Sequence, residues 1–512
     1  MYRLTSYLMC ALLITVSVGA NAVRAAKPAN NPETACSELA AAEFFVETNI
    51  PVELGSSHVV TADGKLPAYC AVNGFVAPQV GFEVRLPLQG WNGRFLQQGC
   101  SGMCGHIEID AADDALARGY AVASTDMGHR SVGSKSAMWA YYNPSAKRDF
   151  WYRGTHVATL AAKHIVADYY GTAPRRAYHR GCGTGGRAGL IEAQRFPDDF
   201  DGIITTGAAV LNFVHNNFSL VWTIRANQGP NGEPILALPD LELVHKAVMA
   251  ECANDSTGVL ANPIACEFDP SSLACQNGTA QGSGCLTPEK VEAVRKIYDG
   301  PRNSSGKQIY LGLSKGSELA WERPYFGNPS VMEQFTTPIW RYLLFSEPPG
   351  PSFELADVDF DLPMERFQDV LAAAASDRVD YEAFKARGGK VLMVYGWNES
   401  SMPGPNAPRY FDRLAKANGG VESTQDFFRM FMVPGQFVCV RGSPTGRDVD
   451  LLTAMEAWSE QGIAPQRIIA TRQAQGDSPA NARPLFPYPS YGSYSGKGNP
   501  NDADNYVEIR PE

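Results

Sequence analysis

The sequence predicts an α/β protein with a doubly wound, mostly parallel sheet into which a second, lid-like domain is inserted. Two stretches of the chain alternate between short apolar strands and amphipathic helices, as parallel βαβ units do. The segment between them breaks this alternation and is rich in Asn, Pro, Gly and Ser. We therefore expect four parts: a signal peptide at 1–22, a first core part at 23–209, a lid domain at 210–370, and a second core part with a C-terminal tail at 371–512.

The first alternating stretch follows a Trp-Asn-Gly-Arg turn at 91–94. Its predicted strands are short apolar runs bounded by turn residues, and its predicted helices carry apolar residues three and four positions apart. In order, we expect a strand at 95–96, a strand at 120–123, a helix at 155–170, a strand at 176–178, a helix at 187–195 and a strand at 202–205.

The second alternating stretch begins at 390–395, where a continuous apolar run predicts a buried strand. A second such run at 428–433 predicts its neighbour, and a helix is expected at 451–461, ended by Gly462. The tail from about 475 is rich in Pro, Tyr and Gly, so we expect it to wrap over the surface.

The N-terminus has the pattern of a secretory signal peptide. Arg3 supplies a positive charge, an apolar run follows at 7–18, and residues 20–22 form a small-x-small cleavage site. We expect cleavage after Ala22, with Ala25 as the alternative, and a secreted or periplasmic mature protein. The apolar run is too short to span a bilayer, and no later stretch predicts a membrane span.

Removal of Cys10 with the signal peptide leaves ten of the 11 cysteines in a chain bound for an oxidising compartment. An even number favours disulfides over metal ligation, although free buried thiols remain an alternative. Sequence spacing suggests local pairs, and leaves two cysteines that would close a long loop. The local pairs are Cys36 with Cys70, Cys100 with Cys104, Cys252 with Cys266, and Cys275 with Cys285; the remaining two are Cys182 and Cys439.

The net charge of −10 opposes binding to a phosphate backbone, so we expect no nucleic acid partner. Nothing in the sequence indicates the oligomeric state.

A glycine-rich turn at 181–187, between a predicted strand and a predicted helix, is the strongest local motif. Its glycines match the G-x-G-x-x-G dinucleotide fingerprint, but the next strand ends in Thr205 and Thr206 without the acid that holds the ribose. The alternative is a nucleophile elbow, G-x-S-x-G, with Gly183 in place of the serine. Glycine adopts the left-handed backbone of an elbow without a Cβ penalty, so this substitution is compatible with the fold.

Several segments together resemble the tannase and feruloyl esterase family, whose elbow reads G-C-S-T-G-G-R. They extend over nearly the whole mature chain and lie at 91–99, 124–129, 178–208, 286–288, 316–318, 464–465 and 483–485. The resemblance implies an α/β-hydrolase fold, a small aromatic carboxylate or ester as ligand, and a Ser-His-Asp triad. Carried over residue by residue, however, the triad positions hold Gly183, Glu399 (in place of the aspartate of G-W-x-D) and Val438 (in place of the histidine before Cys439).

The positions of the histidines support a substituted triad independently of the family resemblance. All eight histidines lie at or before His245, whereas the triad histidine of this fold comes last along the chain. The resemblance implies that Cys182 and Cys439 form a disulfide beside the site. It also implies oxyanion donors near Ser101 and Thr184, which as backbone N–H groups do not depend on the triad side chains.

The resemblance also points to a calcium site in the lid, where the family carries D-x-x-D-G-x-x-D. This chain keeps one carboxylate there, Asp255, and calcium requires several oxygen ligands, so we expect no metal and no cofactor. Candidate catalytic groups are Glu399 and His106, while we expect His129 and His179 to be structural. Three functions stay open: a repurposed non-acylating enzyme (a lyase, isomerase, cyclase or decarboxylase), an aromatic-ligand-binding pseudoenzyme, or a residual ester hydrolase.

Overall fold

The computed structural model describes residues 31–47, 49–131, 135–253, 257–276, 284–437, 449–474 and 480–511. The predicted signal peptide, Asp255, Val438 and Cys439 lie outside these ranges.

One large mixed sheet of ten strands organises the molecule, and two small two-stranded sheets follow it. The strands are β1 (Glu43–Val46), β2 (Ile50–Val60), β3 (Tyr69–Val76), β4 (Val80–Pro87), β5 (Arg94–Gln98), β6 (Ala121–Thr125), β7 (Arg176–Gly183), β8 (Gly202–Ala209), β9 (Lys390–Gly396), β10 (Phe428–Val433), β11 (Ile468–Arg472), β12 (Asn481–Leu485), β13 (Tyr491–Tyr494) and β14 (Tyr506–Ile509). The order in the large sheet is β1-β2-β3-β4-β6-β5-β7-β8-β9-β10.

Helices cover both faces of this sheet and fill the interval between β8 and β9. They are α1 (Pro32–Leu39), α2 (Asp113–Ala117), α3 (Pro144–Arg148), α4 (Gly154–Tyr170), α5 (Thr184–Arg195), α6 (Phe213–Ala226), α7 (Leu238–Cys252), α8 (Pro288–Asp299), α9 (Glu322–Tyr325), α10 (Val331–Tyr342), α11 (Gln368–Ala374), α12 (Glu382–Ala386), α13 (Asn406–Ala417), α14 (Val421–Gln425) and α15 (Leu451–Gln461). None of the helices that the structure describes is long and apolar enough to cross a membrane.

The six strands β5 to β10 pair in parallel, and they coincide with the strands predicted in the two alternating stretches. Successive residues of a strand point to opposite faces of a sheet, so a parallel strand covered on both sides must be apolar throughout. In β8, for example, Ile203 lies in the core on one face and Ile204 in the core on the other.

The four N-terminal strands form an antiparallel extension that the sequence analysis did not predict. β1 to β4 pair in sequence order, and β4 joins the parallel part by an antiparallel pairing with β6. The longest of them, β2, is largely exposed and carries a register shift between Leu54 and Ser56. Because a bulge interrupts the two-residue alternation, its sequence lacks the pattern of a half-buried strand.

Helices α6 to α12 lie between β8 and β9; α6 to α10 fall within the segment predicted to form the lid, 210–370, and α11 crosses its end. Within the described part of this segment, no strand joins the large sheet. Four disulfides join pairs of described cysteines, two of them in this segment. They are the local pairs that sequence spacing suggested: Cys36–Cys70, Cys100–Cys104, Cys252–Cys266 and Cys275–Cys285.

The C-terminal tail builds the two small sheets, β11 with β12 and β13 with β14. Between them, the N–H of Tyr488 donates to the carbonyl of Met430 (2.7 Å) in β10, the last strand of the large sheet. An edge strand offers unpaired backbone groups, so the tail covers part of this edge.

Candidate active site

The turn between β7 and α5 has the geometry of a nucleophile elbow. Gly183 ends the strand with φ 57° and ψ −114°, a left-handed conformation, and the helix begins at the next residue. A Cβ built on Gly183 would meet no atom within 4 Å. The residue at the elbow therefore has free space above it but no side chain to act as a nucleophile.

Neighbouring glycines allow α5 to pack closely against the loop at 99–105. The N–H of Gly185 donates to the carbonyl of Cys100 (2.9 Å), and a Cβ on Gly185 would lie 2.7 Å from that oxygen. The hydroxyl of Thr184 donates to the carbonyl of Gly102 in the same loop. The elbow and the loop predicted to carry the oxyanion donors are thus held together by backbone contacts that need no triad residue.

The two predicted oxyanion donors differ in the structure. Thr184 is the first residue of α5, so its N–H has no acceptor within the helix and lies at the positive end of the helix dipole. The N–H of Ser101, in contrast, donates to Glu108 Oε1 (3.0 Å), and so does its hydroxyl (2.7 Å). An acidic side chain of the same loop region thus already accepts from Ser101, and an oxyanion donor near Ser101 stays a prediction.

His106 belongs to the same cluster at the rim of the site. Its Nε2 lies 2.9 Å from Glu108 Oε1 and its Nδ1 lies 3.2 Å from the carbonyl oxygen of Cys104. The imidazole side chain is 44% exposed. His106 thus follows the loop at 99–105, and both of its ring nitrogens contact acceptors. Sequence reasoning missed its partner Glu108, since no motif marks a glutamate seven residues after Ser101.

Glu399 is buried in the turn that follows β9. Its Oε1 accepts from both the N–H (2.9 Å) and the hydroxyl (2.6 Å) of Ser401, while its Oε2 has no hydrogen-bond partner among the described residues. Burial raises the pKa of the Glu399 carboxyl above its ordinary value, although the bonds from Ser401 oppose the shift. Such a carboxyl holds its proton to higher pH than an exposed one and can donate it.

The turn that carries Glu399 contacts the turn that leads to position 438. The N–H of Gly435 donates to the side-chain oxygen of Asn398 (3.2 Å), and the amide nitrogen of Asn398 donates to the carbonyl of Gly316 (2.7 Å) in the segment between β8 and β9. Asn398 therefore joins three segments around Glu399. Val438 itself lies outside the described residues. Cys182, next to the elbow, is disulfide-bonded, and its predicted mate Cys439 also lies outside them.

A sequence profile of the tannase and feruloyl esterase family matches residues 61–509. The chain belongs to this family. An uncharacterized esterase of Xanthomonas campestris pv. campestris is 33% identical over 90% of this chain and 88% of the relative. The mono(2-hydroxyethyl) terephthalate hydrolase of Piscinibacter sakaiensis is 30% identical, over 87% of this chain and 85% of the relative.

Solved structures similar to this member of the tannase and feruloyl esterase family confirm the predicted α/β-hydrolase fold. Feruloyl esterase B from Aspergillus oryzae has a TM-score of 0.80 at 23% identity, and the match covers 94% of this chain and 100% of that one. Tannin acyl hydrolase from Aspergillus niger has a TM-score of 0.76 at 20% identity, with 93% and 95% covered. The backbone of Gly183 and the family match therefore favour a nucleophile elbow over a dinucleotide-binding turn at 181–187.

Two histidines near the elbow of this tannase and feruloyl esterase family member lie in the core. His179 in β7 is fully buried, and burial lowers its pKa to about 3. His129 bonds the carbonyl of Met103 through Nε2 (2.8 Å) and stacks on Trp139, and burial lowers its pKa to about 4. Both imidazoles are therefore neutral at pH 7 and packed, in keeping with a structural role.

One group of side chains in the described residues could hold a metal ion: His156, Glu192 and Asp199, whose ligand atoms lie within 4.8 Å of one another. His156 Nδ1 lies 2.5 Å from Asp199 Oδ2. Burial, together with the charge of Asp199, raises the pKa of Glu192 well above its ordinary value.

Proposed function

We propose that this tannase and feruloyl esterase family member acts on aromatic, phenolic carboxylates or esters without forming an acyl-enzyme at the elbow. The observation that carries the proposal is Gly183, which occupies the elbow with the required backbone geometry and open space but no hydroxyl. Acylation in this fold needs a nucleophile at that point and a histidine late in the chain. The sequence supplies neither.

The remaining groups suit the binding of a carboxylate or carbonyl oxygen and proton transfer. The N-terminus of α5 presents Thr184 N–H to an anionic oxygen. Glu399 combines burial, a raised pKa and one oxygen without a partner among the described residues, which are properties of a general acid or base. An elimination, isomerisation, cyclisation or decarboxylation of an aromatic acid or ester can use general acid–base catalysis and needs no covalent acyl intermediate. Relatives named for terephthalate and feruloyl esters support the aromatic substrate class.

The test is incubation of the purified protein with a panel of aromatic esters and acids, followed by mass spectrometry of the products. We expect a product formed without acyl transfer, loss of turnover in Glu399→Gln, and full turnover in Glu365→Gln, whose parent residue is exposed. A fluorophosphonate probe should leave the protein unlabelled.

The other outcomes of this experiment separate the alternatives. Release of the free acid from an ester, without probe labelling, identifies a residual hydrolase that uses direct water attack. A ligand-induced rise in melting temperature without any product identifies a binding protein. Labelling of the protein by the fluorophosphonate would show that another nucleophile exists and would overturn the proposal.

We further propose that the mature protein is secreted or periplasmic and that residues 210–370 form a lid over the site. The signal-peptide pattern and the four disulfides support an oxidising compartment. N-terminal sequencing of the exported protein should begin at Val23, or at Ala26 if cleavage follows Ala25. An N-terminus at Met1 on the mature protein would contradict export by this route.

A further inference from the structure

A small cleft of about 170 Å³ lies beside α13, lined by residues other than those of the candidate active site. Its walls come from the start of α6, from residues 309–310, from Asp377 and from α13. His215 and Tyr310 contribute aromatic rings, 6.0 Å apart between centroids and 29° from parallel. The cleft is therefore built from side chains of four segments rather than from one exposed surface.

The charges that line this cleft leave one cation without a partner. Arg413 donates to the carboxylate of Asp377 (2.8 Å), which neutralises both. The guanidinium of Arg409 makes no hydrogen bond or ion pair with any residue that the structure describes, and it is exposed at the mouth of the cleft. The cleft thus has one net positive charge, which matches a monoanion, whereas the adjacent Asp377 disfavours a dianion.

Two further side chains of the cleft are neutral. Burial lowers the pKa of His215, whose Nδ1 lies 2.7 Å from the side-chain oxygen of Asn212, so this imidazole adds no charge at pH 7. Burial also raises the pKa of Tyr310, which therefore keeps its proton and offers an O–H donor. The polar lining of the cleft therefore consists of one free guanidinium, the Asp377–Arg413 ion pair and neutral hydrogen-bonding groups.

A larger open groove of about 580 Å³ adjoins the cleft and shares Arg409 and Arg413 with it. Its floor is mainly apolar, and Ile264 there is 55% exposed. The apolar residues of the groove include Pro263, Ile264, Leu313, Pro405 and Pro408, and its charged residues besides the two arginines are Lys315, Asp412 and Lys416. A guanidinium at the junction of a polar cleft and an apolar groove suits a ligand with a charged head and an apolar body.

We propose that this cleft and groove form a binding site, separate from the candidate active site, for an apolar or aromatic monocarboxylate. The carboxylate would pair with the planar fork of Arg409, a geometry that guanidinium matches better than a point charge does. The apolar body would cover Ile264 and the prolines of the groove. This site does not rest on the proposed function, because none of Gly183, Thr184 and Glu399 lines it, although Pro405 lies on the same connection between β9 and α13 as Glu399.

The test is isothermal titration calorimetry of the full mature protein with trans-cinnamate, cinnamyl alcohol and acetate. Cinnamyl alcohol lacks the charge and acetate lacks the apolar body, so both should bind at least about tenfold more weakly than cinnamate. Arg409→Gln should weaken cinnamate binding roughly tenfold or more, as expected for the loss of a charged hydrogen bond. The control is Arg366→Gln, also at an exposed arginine, which should leave binding unchanged.

The variant pattern locates the site even if the candidate active site also binds cinnamate. In that case wild type shows two binding events, and Arg409→Gln removes one of them. Ile264→Ser should weaken cinnamate without affecting acetate, because it alters only the apolar floor. Wild type that binds no cinnamate, or cinnamate binding that is identical in Arg409→Gln, overturns the proposal.

Discussion

Gly183 determines, as a single residue, which chemistry is available at the elbow. Its backbone has the conformation that a catalytic serine would need, and the space for a serine side chain is open. Under the proposed function, the absence of acylation depends on one missing hydroxyl and on the residue at 438, rather than on a rearranged backbone. The same residue makes the interpretation testable by substitution.

Restoring the triad should require two changes at once. Gly183→Ser alone lacks a base, and Val438→His alone lacks a nucleophile, so each should leave hydrolysis of a 4-nitrophenyl ester at the wild-type level. The double variant should hydrolyse the ester at least about tenfold faster than either single variant, because triad residues act as a unit. In this variant Glu399, or an aspartate in its place, would orient the imidazole.

Gly183→Ala, combined with Val438→His, is the matched control, since alanine adds the same backbone strain but no hydroxyl. Wild-type hydrolysis as fast as that of the double serine–histidine variant would show that another nucleophile operates.

Asp126, which follows β6, should make stability depend on pH. Burial raises its pKa to about 6, although the N–H groups of Gly81 and Gly128 donate to it. A carboxyl with a raised folded-state pKa stabilises the protein at low pH, and that contribution is lost as pH rises from about 4 to about 6. Asp126→Asn cannot ionise, so between pH 4 and pH 7 its stability relative to wild type should rise by roughly 3 kcal/mol.

Urea denaturation at several pH values measures this difference. The exposed Asp380→Asn should show no such trend with pH. The raised pKa of Asp126 would be contradicted if the stability difference between Asp126→Asn and wild type stayed constant from pH 4 to pH 7.

At the scale of elements, the packing of α5 on the loop at 99–105 positions the site. Gly185→Ala would place a Cβ 2.7 Å from the carbonyl oxygen of Cys100, so one of the two segments must move. We expect a loss of about 1–3 kcal/mol in the free energy of unfolding, the usual cost of overpacking. Chemical denaturation measures it. Gly284→Ala, where a Cβ would meet nothing within 4 Å, should be neutral; equal effects of the two variants would show that packing at α5 is not the cause.

The elements that sequence could predict are those whose pattern is local. Strands β5 to β10 and helices α4, α5 and α15 follow from apolar runs and periodicity, because both faces of the parallel sheet are buried. The antiparallel strands β1 to β4 were missed because their pairing depends on partners elsewhere in the chain and on a bulge in β2. The elbow was predictable from its glycines, whereas the bonds from Ser101 to Glu108 depend on how one loop folds back on itself.

At the scale of the whole molecule, covalent links hold the periphery to the sheet. The Cys36–Cys70 bond joins α1 to β3 across 34 residues, and both sulfurs are buried, whereas Cys275–Cys285 closes a loop of 10. In the chain-entropy account, replacing the first pair by alanines should cost about 4 kcal/mol and replacing the second about 3 kcal/mol. Urea denaturation of the two double variants gives both values. A larger loss for the shorter loop would indicate that local packing, not loop length, dominates.

If the proposed function holds, the left-handed backbone at Gly183 also affects how readily the protein could acquire a serine-dependent hydrolysis. A serine at this position carries backbone strain of order 1–3 kcal/mol, which a glycine does not. Part of this difference is offset because glycine leaves the unfolded chain more freedom, worth about 0.4–1 kcal/mol. The first step back thus lowers stability while it confers no activity until a histidine is present. Selection acting one substitution at a time therefore opposes the change from Gly183 back to serine. The glycine at the elbow thus tends to be retained once it is present.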